Sequence, residues 1–253
     1  MRPLAMTAAL AAAAALCACG DDEGDRSKRD PASFSADVDN RYWPLEPGTR
    51  WIYREVDEEG RELRVVVTAT TETKKLANGV TARVVRDTVL DGRELVEDTF
   101  DWYAQDDEGN VWYMGERTAE YEDGRLATRA GSWEAGVDGA RPGTLMPATP
   151  RDDMRYRQEY YAGEAEDSGE ILAVDEQVQV PAGHFEDAVL TKDTNALEPK
   201  VLEYKLYAPG VGMTLALGVS GGGGREELLR MERVDPGVAR AAGIAPLGEP
   251  YPR

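Results

Sequence analysis

Residues 62–104 read ELRVVVTATTETKKLANGVTARVVRDTVLDGRELVEDTFDWYA. Two turn pairs, Asn78-Gly79 and Asp91-Gly92, cut this stretch into three runs. Asn-Gly and Asp-Gly supply the positive φ angles that tight hairpin turns need. The runs between them are rich in Val and Thr, whose branched side chains suit a pleated surface. Leu63, Val65 and Val67 alternate with Arg64, Val66 and Thr68, which is the two-residue period of a strand. The stretch therefore predicts consecutive antiparallel strands.

The pattern extends both ways. Further turn signals fall at Glu59-Gly60, Glu108-Gly109-Asn110 and Asp123-Gly124. Strands are expected near 50–56, 62–72, 79–90, 93–104, 110–116 and 119–129, and again near 156–162, 170–180, 184–193, 200–208, 211–219 and 226–234. The last of these, Glu226 to Val234, also reads as a helix. About ten to twelve strands predict an all-β, mainly antiparallel fold: a curved sheet, half-barrel or barrel. No fixed-period repeat supports a propeller or solenoid. No composition break divides residues 41–234, which read as a single domain.

Residues 130–155 interrupt the rhythm with Gly131, Gly136, Gly139, Pro142, Gly143, Pro147 and Pro150. No helix or central strand tolerates that density, so a long irregular loop is expected. It carries Trp133, Leu145 and Met146 as candidate plugs for one mouth of the sheet, near the strands bearing Trp51, Trp102 and Trp112. Residues 235–253 read as a Pro/Gly/Ala tail.

The N-terminus carries an address. Arg2 precedes an uncharged apolar run from Leu4 to Leu16. At ~1.5 Å per helical residue this run reaches ~20 Å, short of a ~30 Å hydrocarbon core, so it reads as a signal peptide and not a membrane span. Leu16-Cys17-Ala18-Cys19 fits a lipobox, with Leu three residues before the cysteine that accepts the lipid. Residues 1–19 are thus expected to be a lipoprotein signal, with lipidation at Cys19; an ordinary secretory cleavage after Ala18 is the simpler alternative. Residues 20–40, rich in Asp, Ser, Arg and Gly, read as a disordered acidic tether. The expected location is extracytoplasmic, held by lipid at the cell membrane or outer membrane.

Cys17 and Cys19 are the only cysteines, so the mature domain has no disulfide, thiol nucleophile or Cys-ligated metal. The chain holds 48 acidic and 29 basic residues, a formal net charge of −19. That charge argues against nucleic acid and against direct electrostatic attachment to anionic lipid. Its plainest meaning is solubility; a cation-binding surface is the sharper one.

Catalytic signals are weak. His184 is the single histidine, follows a Pro-Ala-Gly turn and reads as an exposed turn residue. Gly218-Val219-Ser220-Gly221-Gly222 matches the nucleophile-elbow pattern, but no His lies downstream. Residues 164–175 faintly resemble a calcium loop, without Asp at the first position or Glu at the twelfth. Paired carboxylates could serve a glycosidase, yet among 48 acids nothing selects a pair. No catalytic residue, metal ligand or cofactor is expected. The aromatics say more. All five tryptophans lie between Trp43 and Trp133, and Trp51 shares a strand face with Tyr53. They read as core, or else Trp51, Trp102, Trp112 and Trp133 line an apolar cup for a ligand.

Three motifs carry a resemblance: YWPLEPGTRWIY (42–53), VPAGHF (180–185) and YAPGVG (207–212). Together with NVWY (110–113) and GSWEAGVDG (131–139), they resemble a group of uncharacterised exported bacterial β-rich lipoproteins. The group is also similar, more weakly, to the lipoprotein-carrier clamshell, a curved half-barrel with an apolar concave face. Each motif reads as structure; VPAGHF predicts a tight turn before a strand that buries Phe185. The expected function is a membrane-anchored envelope lipoprotein, non-enzymatic, binding an apolar or amphipathic ligand or a protein partner. A carboxylate-based extracytoplasmic hydrolase and a purely structural surface protein are the rivals.

Overall fold

A computed structural model describes residues 29–57, 59–221 and 224–252. Residues 1–28, with the expected signal sequence and Cys19, lie outside the described residues. The described chain is nearly all antiparallel β. From the N-terminus run β1 (Phe34–Ser35), β2 (Thr49–Val56), β3 (Glu62–Lys75), β4 (Thr81–Asp91), β5 (Glu94–Asp106) and β6 (Val111–Glu122). Short strands follow: β7 (Arg125–Thr128), β8 (Trp133–Glu134), β9 (Arg141–Met146), β10 (Arg155–Arg157) and β11 (Glu159–Tyr160). The second half consists of β12 (Asp167–Val180), β13 (Gly183–Asn195), β14 (Leu202–Ala208), β15 (Gly212–Ser220), β16 (Gly224–Arg233) and one helix, α1 (Pro236–Ile244).

Neighbours pair in the order β10-β12-β13-β14-β15-β16-β2-β3-β4-β5-β6-β9-β11. The two halves join where β16 pairs with β2, Met231 opposite Trp51. The far edges meet at residues 155–160. The first half of that segment pairs with β12, Tyr156 opposite Gly169, and the second with β9, Glu159 opposite Pro142. The sheet thus curls into a nearly closed barrel, as the strand pattern predicts. Glu226 to Val234 resolves in favour of a strand, because β16 fills the gap between β15 and β2.

Alternation sorts the two faces. Trp51, Tyr53, Val65, Val85, Tyr103, Val189, Leu215 and Leu228 build the main core inside the barrel. On the outer face of β4–β6, Val84, Phe100, Trp102, Trp112 and Met114 form a second cluster.

Both ends of the described chain cover that outer cluster, which corrects one expectation. Residues 29–40 are no tether: β1 pairs with β5, Phe34 meets Trp112 edge-on at 5.8 Å, and Arg29 pairs with the buried Asp106 at 3.0 Å. Polar composition hid this, because the segment is held by ion pairs and by few apolar contacts. The Pro/Gly/Ala tail expected at residues 235–253 carries the helix α1. Asp235 caps α1 by accepting from Gly237 N at 2.7 Å, and Ala239 and Ala242 are buried.

The 130–155 stretch also differs from expectation. It contributes β8 and β9, both paired to β6. Gly115 allows this: its φ is +123°, and a Cβ there would lie 2.4 Å from Trp133 O. The two strands expected near 110–116 and 119–129 are largely one, β6, followed by a turn at Asp123-Gly124 and the short β7. Phe185 is half-buried and packs against the main core from its rim, where it was expected to be fully buried. It stands just after the Pro181-Ala182 turn, at the end of the barrel, so one side of its ring stays open.

Candidate functional site

The barrel interior is not filled. It holds a cavity of about 260 Å³ and a second of about 110 Å³, and both are lined by Trp43, Tyr103 and Met213. These three shared side chains form a waist between the two lobes. Trp43 is dropped into that waist by the turn preceding β2. Trp43 N donates to Asn40 O at 3.2 Å and Leu45 N to Val38 O at 2.9 Å, which fixes the turn. The Trp43 ring lies 5.6 Å from Tyr103 and 5.8 Å from Tyr207, and Tyr103 stacks on Tyr113 at 5.1 Å. The YAPGVG turn braces the same end. Val211 O accepts from Trp51 Nε1 at 2.7 Å, Met213 O accepts from the Tyr53 hydroxyl at 3.0 Å, and Gly210 N donates to Arg41 O at 2.7 Å.

Strand alternation that turns aromatic rings inward turns acids inward too. On β5, Asp101 and Tyr103 point inside while Phe100 and Trp102 point out. Asp87 on β4 and Glu226 on β16 join Asp101 in the smaller lobe. Glu159, Asp167, Asp193 and Glu203 line the larger lobe, and among the described residues Lys205 is the only basic one lining either. An ionised acid in such a place is costly unless paired.

Only some are paired. Lys205 Nζ lies 3.0 Å from Asp193 Oδ2 and 3.2 Å from Glu203. Burial works against this ammonium, but Asp193, Tyr207 and Glu203 outweigh it and hold its pKa well above the ordinary lysine value. Asp193 Oδ1 and Asp87 Oδ1 are buried with no hydrogen-bond partner, as is Trp43 Nε1. Burial, reinforced by Asp101 and Glu226, pushes the Asp87 carboxyl far above the usual range.

Asp101 and Glu116 share the Tyr113 hydroxyl, at 2.8 and 2.9 Å. A phenol has one proton to give, so one carboxyl of the pair must itself be protonated to donate back. Burial pushes Asp101 up to about 7, against the pull of the Tyr113 hydrogen bond. Burial and the Asp101 charge push Glu116 up to about 8. Burial and Asp167 push Glu159 up to about 9, and burial with Glu55 pushes Glu226 up to about 8. Among the described residues, no group of three or more His or acidic side chains is placed to hold one metal ion.

The four candidate tryptophans are not brought together. Trp51 lines the smaller lobe. Trp102 and Trp112 face the opposite side of the sheet, in the outer cluster, because their registers differ by one residue from those of Tyr103 and Tyr113. Trp133 sits in a separate buried cluster with Ala135, Ala140 and Ala165. It touches the site from behind: its Nε1 donates to Glu159 at 2.8 Å, and its ring meets Tyr113 edge-on at 5.6 Å. From the 130–155 stretch, Leu145 reaches the larger lobe and Met146 the main core, so the stretch supplies wall where plugs for one mouth were expected. His184 is exposed, with Nε2 3.9 Å from Glu186. Ser220 donates to Lys200 O at 2.8 Å and is the last residue of β15, and the next element is the strand β16 and not a helix.

Sequence reasoning passed over the inward acids. The available signal was an acid standing two residues from a core residue on one strand face: Asp101 beside Tyr103, Asp87 beside Val85, Glu226 beside Leu228.

No family model matches the chain. No curated protein matches it either. Two solved structures are similar in fold. One, from Parabacteroides distasonis and provisionally named a lipoprotein, has 12% identity and a TM-score of 0.40, covering 76% of this chain and 99% of its own. The other is a beta-barrel-like protein of a domain of unknown function from Brucella abortus, with 13% identity and a TM-score of 0.38, covering 74% of this chain and 98% of its own. Likeness at this level fixes neither family nor activity.

Proposed function

We propose that this chain is an exported lipoprotein, acylated at Cys19, that holds a small amphipathic ligand inside its barrel on the outer side of a membrane. The interior carries the reading: a two-lobed cavity whose aromatic waist separates two acid-lined ends. A protein selected for stability alone fills such a space with apolar side chains, since buried acids without partners cost more than they return. The acids do fit a polar group brought in from outside. The Leu16–Cys19 box carries the address, and two or three acyl chains at ~0.8 kcal/mol per buried CH₂ anchor a protein firmly. Binding without chemistry is the simplest use of the site. The test is native mass spectrometry of the full chain purified in mild detergent. A small-molecule adduct on the wild type that is lost in Trp43→Ala supports the reading; an adduct that persists in that variant, or no adduct after incubation with a soluble envelope extract, counts against it.

A second reading, a carboxylate-based hydrolase, is favoured by one observation: the Asp101–Tyr113–Glu116 group holds a protonated and an ionised carboxyl side by side near neutral pH. Hydrolysis of a glycoside or ester panel by the wild type, lost in Asp101→Asn and Glu116→Gln alike, would establish it.

A further inference from the structure

We infer that the ligand is a small organic cation, an aliphatic amine carrying two or more ammonium groups, threaded through the waist with a positive group in each lobe. The inference rests on the interior-binding reading and specifies its ligand.

The sign of the charge comes first. Seven acids line the two lobes against Lys205 alone. An anionic ligand would find no cation among the lining residues of the smaller lobe and only the already paired Lys205 in the larger. A purely apolar chain would strip water from the acids and return nothing to them. The acids are also short of donors. Asp193 is only 5% exposed, and while its Oδ2 receives Lys205, its Oδ1 has no partner. Asp87, at the other end, has a buried Oδ1 with no partner and no cation near it among the smaller lobe's lining residues. Once ionised, these carboxyls are acceptors only, so holding them charged at both ends requires N–H or O–H donors from a ligand. An ammonium supplies three donors and the opposite charge.

The shape comes second. The acids are distributed over two lobes and do not converge as a metal-binding group among the described residues. A ligand that serves both ends must span the waist, where it meets the rings of Trp43 and Tyr103 and the thioether of Met213. Methylene groups pack well there, and ammonium groups on either side are attracted to ring faces. Trp43 Nε1 is an unmatched donor on a residue that lines both lobes, and it fits an oxygen carried by the ligand. Hydroxylated or amide-bearing amines should therefore bind more tightly than plain alkyl amines of equal length.

The test is isothermal titration of the full lipidated chain in nonionic detergent. The probes are hexanediamine, spermidine, hexanediol, decanoic acid and calcium chloride. The inference expects both amines to bind and the diol, the fatty acid and calcium not to. Asp193→Asn and Asp87→Asn should each weaken amine binding by about tenfold or more, the loss of one charge-assisted hydrogen bond. The exposed Glu122→Gln should leave binding unchanged, which separates the interior from the acidic surface. Glu203→Gln serves as a second interior variant should either Asp variant fail to fold. Binding of the diol or the fatty acid but not of the amines leaves the interior-binding reading standing and overturns the amine class. Binding of calcium alone also overturns it. Amine binding that survives all three interior substitutions places the amines elsewhere and overturns the inference, and no binding by any probe overturns both readings.

Discussion

Arg86 and Asp98 form a fully buried ion pair on the outer face of the barrel, joined at both prongs, with Arg86 Nε 2.6 Å from Asp98 Oδ1. The rest of the guanidinium is occupied by the chain's own end: Arg86 donates to Ala242 O at 3.1 Å and Ala245 O at 2.5 Å. Gly248 N donates to Asp98 Oδ2 at 2.8 Å, and the Arg86 guanidinium stacks between Phe100 at 4.5 Å and Tyr251 at 4.7 Å. Removing one partner leaves a buried charge uncompensated, at about 3–5 kcal/mol. Asp98→Ala should therefore lower unfolding stability by that amount in a denaturant melt, and ending the chain after Val234 should do at least as much harm. A change in either below about 1 kcal/mol would show that the segment after residue 235 is dispensable.

The interior acids set a pH dependence. Asp101, Glu116, Glu226 and Glu159 have native pKa values near 7, 8, 8 and 9, raised first by burial, against ordinary values of 3.8 for Asp and 4.5 for Glu. The groups facing them are mostly acids. Asp101 and Glu116 face each other, Glu97 and Tyr113; Glu226 faces Glu55, Glu203 and Lys205; Glu159 faces Asp167, Glu116 and Trp133. Between the ordinary and the native values the folded state binds more protons than the unfolded state. Stability is then full at low pH and is lost as pH rises through the native values, at about 1.4 kcal/mol per pH unit for each proton difference. Thermal unfolding should occur highest near about pH 5 and fall steadily towards about pH 9. A flat or rising profile over that window would contradict the burial of these acids. At the acid end the sign reverses. Hydrogen bonds from Arg155 and Lys192 hold Glu170 below its ordinary value, and Arg54 does the same for Glu227, so their contribution is lost as pH falls through the lowered values.

Gly115 is fixed by its neighbour across the sheet. With a Cβ placed 2.4 Å from Trp133 O and a φ of +123°, any substitution strains the backbone and pushes β8 away. Gly115→Ala should cost about 2–3 kcal/mol. Because displaced β8 carries Trp133, the same variant should change tryptophan emission. Unchanged emission and stability would mean that β8 tolerates the displacement.

Lipidation is checked by location. Cys19→Ala should leave the protein either uncleaved or in the soluble envelope fraction. A wild-type protein that is fully soluble with a free thiol at Cys19 would remove the anchor from the reading.

The strands were legible because Asn78-Gly79 and Asp91-Gly92 mark turns whose geometry few other residues accept. Trp51 and Tyr53 were rightly placed on one face, but period two alone does not say which face is inside. Both faces of β5 are buried here, one turned to the barrel and one covered by Phe34 and Leu247, so the outer tryptophans passed for candidates. Residues 29–40 and 236–252 were obscured for another reason. Asp30, Asp37 and Asp235 make local caps and ion pairs, and a polar composition reads the same whether its charges face water or partners. The interior acids were hidden by number, since any of 48 could have faced inward.

Residues 155–160 hold the ring shut with little. Three residue pairs join β10 to β12, and two join β11 to β9, whereas β2 and β3 share seven. Opening a ladder costs least where fewest rungs must break. In hydrogen exchange, amides of this segment should therefore trade deuterium well before those of β2 and β3. Glu159, a wall of the larger lobe, rides on the segment that lets go first.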